Sequence, residues 1–168
     1  MNILKYTSIL AASLAAALPL GAKQQQKSNV YKDGDRACMV GDSITASGAY
    51  TLAFMTYYIT RLPDTNIDFR NLGLSGDYCG GILHRMQSDT LPNFDKQRSV
   101  GVLMVGMKDA KRENFSKKTL EKLGRPALDA KIKYNRGVYE KRLGEIVNLI
   151  APNTRTLVLF TPSIYDQT

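Results

Sequence analysis

Four short apolar runs, at residues 36–40, 67–72, 99–105 and 156–161, alternate with stretches of helical periodicity, and this order limits the fold most. The first run, Arg36-Ala-Cys-Met-Val, is stopped by Gly41, the third by Gly106 and the fourth by Pro162. The second, Ile67-Asp-Phe-Arg-Asn-Leu72, alternates as a half-buried strand does. Between the first two runs, Leu52, Met55, Ile59 and Leu62 recur at helical spacing up to Pro63. Residues 80–87 can form a short helix. A basic connection broken by Gly124 and Pro126 then leads to an amphipathic stripe of Tyr139, Leu143, Ile146, Val147 and Ile150, closed by Pro152. Near-continuous apolar strands alternating with helices predict an α/β fold: a parallel sheet covered on both faces, a three-layer sandwich. In such sheets ligands bind beyond the carboxyl ends of the strands.

Length fits a single domain. The chain has 168 residues, and its first 22 hold one Lys, no acid and an Ala/Leu-rich stretch from Thr7 to Leu20. That pattern predicts a signal peptide over 1–22, a polar linker over 23–35, and one folded domain over 36–168. The apolar stretch is shorter than the ~20 residues a bilayer crossing needs, so no stable membrane span is expected after cleavage, and the product is expected to be secreted or periplasmic. Two cysteines exclude a disulfide-dense mini-domain, and one histidine, His84, excludes a multi-His metal site. Cys38 and Cys79 are read as two buried thiols or as one bridge, which spacing alone does not decide. The net charge is +8, and residues 108–136 carry ten Lys/Arg against four Asp/Glu. Few aromatics interleave there, so the segment reads as a solvated face and no nucleic-acid partner is expected.

Three strand ends carry small or polar residues: Gly41-Asp-Ser-Ile-Thr45, Asn71-Leu-Gly-Leu-Ser-Gly-Asp77 and Gly106-Met-Lys-Asp109. A serine on the turn from a strand into a helix exposes its hydroxyl beside helix-end amides, which suits nucleophilic acyl transfer once a base is supplied. The plainer reading makes Ser43 a helix cap and Gly41 a turn residue. Asp42 is read as a brace of the turn and His84 as a surface histidine.

VGDSITASGAY, NLGLSGDYCGG and VGMKDAKR, in that order, resemble the first three sequence blocks of the SGNH or GDSL-type hydrolases, an α/β family of serine esterases and lipases. The intervals sharpen the match, with 33 residues from Ser43 to Gly76 and 32 from Gly76 to Lys108. The final TPSIYD also looks like a strand-end segment of the family. The resemblance implies a flavodoxin-like sandwich with strand order 2-1-3-4-5, here 2-1-3-4 with the fifth strand missing. It further implies Ser43 as nucleophile, the Gly76 amide as oxyanion donor, no metal or organic cofactor, and a small-molecule or carbohydrate ester as substrate. Two departures stand out. Lys108 occupies the family's oxyanion asparagine position, and the DxxHP block that supplies the catalytic His and Asp does not occur in these 168 residues. The sequence therefore predicts an ester hydrolase with little turnover of its own. It also predicts an exposed edge on the fourth strand, a site for aggregation. A non-catalytic ligand- or carbohydrate-binding module on the same fold is the alternative. A flavodoxin-like binder of phosphate or FMN fits the strand order less well, for want of a longer Gly/Ser/Thr-rich loop after the first strand.

Overall fold

The structure, a computed structural model, describes residues 30–161. Four strands, β1 (Arg36–Gly41), β2 (Asp68–Gly73), β3 (Ser99–Met104) and β4 (Thr156–Leu159), form one sheet in the order β2-β1-β3-β4. Every neighbouring pair is parallel. All six residues of β3 are buried, as a strand covered on both faces requires. Register aligns Gly41 with Gly73 on one side and Met104 on the other, so the first three strands end level. The segment after Thr161, and with it the question of a fifth strand, lies outside the described residues, as does the segment 1–22 expected to be a signal peptide.

Helices cover both faces. On one, α3 (Cys79–Arg85) and α5 (Arg125–Ile150) bury Ile82, Ile146 and Ile150 against Val40 and Leu103. The predicted stripe on α5 packs as expected, with Ile146 and Ile150 fully buried and Tyr139, Leu143 and Val147 flanking them. The helix begins earlier than its apolar stripe. Gly124 (φ 72°) caps the end of α4 (Lys117–Leu123), and Pro126 sits in the first turn of α5. There a proline's fixed φ helps and its missing N–H costs nothing, so these two residues join helices rather than break one.

The opposite face carries α2 (Ala49–Arg61), and here the expected stripe is corrected. Leu52 and Ile59 are exposed, while Thr51 and Tyr58 are buried and Tyr50, Phe54 and Leu62 pack against the sheet. Residues 51, 54, 58 and 62 are also helically spaced, about 100° round the helix from 52, 55 and 59. Aromatic contacts select that side: the Tyr58 ring meets Tyr31 edge-on at 5.2 Å, and Phe54 stacks on Phe160. The end of the segment read as a polar linker is packed too. Tyr31 is buried, and Asp35 accepts from the Lys32 N–H and pairs with Arg155, the residue just before β4.

Cys38 and Cys79 are both free and buried. Burial pushes the Cys38 thiol up to about 11 and the Cys79 thiol up to about 12, the latter helped by the Asp109 carboxylate. Both stay neutral and act as small apolar side chains. No helix among the described residues is long and apolar enough to cross a membrane.

Candidate active site at the strand ends

Ser43 opens α1 (Ser43–Ala46), two residues past the end of β1, and is exposed. Asp42 just before it is buried and caps the turn, its Oδ1 accepting the Ile44 N–H at 3.0 Å. Gly41 must be glycine, since a Cβ there would overlap the Met104 carbonyl and the Thr45 hydroxyl. The turn is therefore held tight beneath Ser43, whose own N–H belongs to the first helical turn and has no partner within the helix.

Hydrogen bonds stitch the second strand end to the first. Leu74 N–H donates to the Gly41 carbonyl at 3.1 Å, and Asn71 Nδ2 donates to the Thr45 carbonyl at 2.8 Å. Asn71 Oδ1 in turn accepts the Gly73 N–H at 3.0 Å. Gly73 lies so close to α1 that a Cβ would meet the Ala46 backbone. Past this point the chain turns through Gly76, whose φ of 79° is a left-handed conformation that favours glycine. Space is not the reason, because a Cβ there would touch nothing.

The third strand end meets the second through two contacts. Lys108 Nζ donates to the Gly76 carbonyl at 2.5 Å and lies 5.2 Å from the centre of the Tyr78 ring. Asp109, buried, accepts the Cys79 N–H at 3.0 Å and so caps α3. Ser43, Gly76 and Lys108 thus stand on three segments joined to one another at one edge of the sheet. Lys108 itself is engaged with the carbonyl of Gly76.

Positioning side chains that sequence reading missed lie behind these segments. The Arg85 side chain, next to the exposed His84, is only 11% exposed. It pairs with Asp77 at 2.8 Å, with Asp89 at 2.7 Å, and donates to the Leu72 carbonyl at 2.8 Å. Gly81 leaves room for this, since a Cβ there would strike the Asp77 carboxylate. Tyr139 donates from α5 to the Val105 carbonyl at 3.3 Å; burial first, then the nearby Cys79 and Asp109, keep its phenol above the usual range and hence protonated. An acid adjoining Lys108 in the third block, and an arginine one residue past His84, were the only sequence signals for these roles. His84 is exposed in the last turn of α3. Among the described residues, no group of three or more His, Cys, Asp or Glu side chains is placed to hold a metal ion.

No protein-family model matches the chain, and no curated protein matches it. Solved structures do. A gut microbial diltiazem-metabolizing enzyme superimposes with a TM-score of 0.65 and 27% identity over 82% of this chain and 29% of its own. An acetyl xylan esterase from Geobacillus stearothermophilus gives a TM-score of 0.58 and 20% identity over 77% of this chain and 60% of its own. An alpha/beta hydrolase enzyme from the metagenome of Lake Arreo, Spain, gives 0.57 and 22% over 77% and 61%. The chain spans less than a third of the first protein and about three fifths of the other two. What it shares with them is the three-layer α/β fold.

Proposed function

We propose that the chain is an exported SGNH-type serine hydrolase domain that acts on carboxylic ester bonds, acyl esters of carbohydrate among them. The observation that carries this reading is the stitched edge itself. Hydrogen bonds join the first strand end to the second and the second to the third, bringing the exposed Ser43 and Gly76 onto one ledge. Parallel sheets bind their ligands at that ledge. One structural neighbour, an acetyl xylan esterase, agrees with a carbohydrate ester as substrate.

In this reading Ser43 Oγ attacks the acyl carbon, and the carbonyl oxygen takes up the negative charge. The Ser43 and Gly76 N–H groups accept that charge as donors, in a site where fixed dipoles count for more than in water. A base takes the serine proton and returns it to the leaving alcohol. The sequence has one histidine, and it is the exposed His84 of α3, so turnover by this chain alone is slow. A serine hydroxyl without a paired base is a weak nucleophile.

A second reading, a non-catalytic ligand- or carbohydrate-binding module, is favoured by one observation. The Lys108 ammonium is bonded to the Gly76 carbonyl instead of standing free as an oxyanion donor. Hydrolysis of p-nitrophenyl acetate by the chain and by Ser43→Ala separates the two. Slow release of nitrophenol that disappears in Ser43→Ala is expected. Equal rates in both proteins would leave the binding module as the reading.

A further inference from the structure

Two recesses open side by side between α5 and the segment that precedes it, sharing Phe115 and Ile132 as a common wall. The smaller, about 240 Å³, begins at the third strand end, where Gly106 and Asp109 line it. The larger, about 410 Å³, runs on beneath Leu120 and Leu128. Their walls are chiefly apolar, and their combined size is that of an ordinary small-molecule site.

Each recess holds a polar group that the protein leaves unsatisfied. Asn114 lines the larger one; it is 1% exposed, yet neither its Nδ2 nor its Oδ1 has a hydrogen-bond partner. The Asn135 Nδ2 beside the smaller one is buried and equally without a partner. Buried amides are nearly always paired, because leaving them unpaired forfeits the hydrogen bonds they make to water. The turn that carries Asn114 is held at a cost as well. Lys111, at φ 58°, is the one described non-glycine residue with a positive φ, and its carbonyl accepts the Asn114 N–H at 2.8 Å.

Charge narrows the ligand. Each cation on the rim has a carboxylate beside it, Arg125 with Asp129 at 3.1 Å, Arg136 with Glu140 at 2.7 Å and Lys117 with Glu121 at 3.9 Å, and the buried Asp109 borders the inner end. An anion would have to displace these carboxylates and would face the Asp109 carboxylate at the inner end. An uncharged group that presents an acceptor and a donor side by side matches the two empty positions of the Asn114 amide.

We propose that this double recess binds an uncharged acyl or alcohol group of the ester substrate, larger than acetyl, whose carbon chain lies along the apolar walls and whose polar end hydrogen-bonds the Asn114 and Asn135 amides. The proposal rests on the hydrolase reading only for the word substrate; the site itself stands on the cavity and its unpaired amides.

Hexanamide is the probe, with acetamide as the short control, and binding is followed by chemical-shift changes in the full chain. Working in Ser43→Ala keeps the measurement independent of catalysis. Hexanamide is expected to shift Asn114, Asn135 and Ile132 and to bind at least about tenfold more tightly than acetamide. Asn135→Leu is expected to weaken it by up to roughly tenfold, the scale of one hydrogen bond. Ile132→Trp, which fills the shared wall, is expected to abolish it while the melting temperature confirms a folded protein. If Ile132→Trp unfolds, Asn135→Leu alone decides. Shifts confined to residues outside the recess, equal affinity for the two amides, or indifference to Asn135→Leu would overturn the proposal and leave the amides to ordinary water. Recess binding with no Ser43-dependent hydrolysis would reject the hydrolase reading and keep the site.

Discussion

In the hydrolase reading Lys108 stands where an oxyanion donor is wanted, and its Nζ donates one of its three N–H groups to the Gly76 carbonyl at 2.5 Å. That bond ties the third strand end to the second and holds the glycine turn whose N–H is the proposed donor. The same bond competes with direct help to a substrate oxygen. A lysine also carries a flexible stem and a point charge, where asparagine offers a short, fixed amide. Lys108→Asn is therefore expected to raise the Ser43-dependent hydrolysis of p-nitrophenyl acetate, by up to about 10² if a full oxyanion donor is restored. A fall in that rate would show the ammonium itself to be the donor. The sequence pointed to Lys108 because it departs from the residue the resemblance expects. It did not reveal the carbonyl it bonds, because a four-carbon side chain reaches many acceptors at one sequence separation. Asn114 shows the same limit in reverse, since nothing in Arg-Glu-Asn-Phe marks a buried and unpaired amide.

Among the elements, α3 is the one that polar contacts fix most firmly. Asp109 caps its start, and Arg85 near its end spans Asp77, Asp89 and the Leu72 carbonyl. Asp77 is 3% exposed in its side chain, so removing Arg85 leaves a buried carboxylate without its cation. Arg85→Ala is expected to cost about 3 kcal/mol, read as a lower urea midpoint at unchanged slope. The exposed helical pair of Arg136 and Glu140 gives the contrast, since Arg136→Ala is expected to change stability by no more than about 0.5 kcal/mol. If the two variants lost the same stability, the account of α3 would be wrong. Strands were easier to read than helices for a physical reason. Burial on both faces writes a strand into the sequence as an apolar run, as at Val100 to Met104. In α2, apolar and aromatic residues surround the helix, so periodicity allowed two faces and only the Tyr31, Phe69 and Phe160 rings decided between them. The start of α5 was hidden because Gly124 and Pro126 signal an end and a beginning with the same residues.

At the scale of the molecule, the parallel sheet places the candidate site by geometry alone. Strands about 4.8 Å apart that end in register bring residues from three distant segments onto one ledge. The strand order β2-β1-β3-β4 and the meeting of the three strand ends were both legible in the sequence, the order through a family resemblance and the meeting through the general rule for open sheets. The recess beside α5 was not legible, because it depends on how the Arg112–Phe115 turn closes over the helix. Nor does the order of segments fix the reactivity of a hydroxyl. The central claim is that the fold makes Ser43 a nucleophile, and labelling tests it most directly. The chain would be treated with an alkyl fluorophosphonate, in imidazole buffer to supply a base, and the modified peptides mapped by mass spectrometry. The account predicts a phosphonyl group on Ser43 in the folded protein, lost in urea, with neighbouring Ser47 and Ser75 unmodified; labelling of all three alike, or of none, would contradict it.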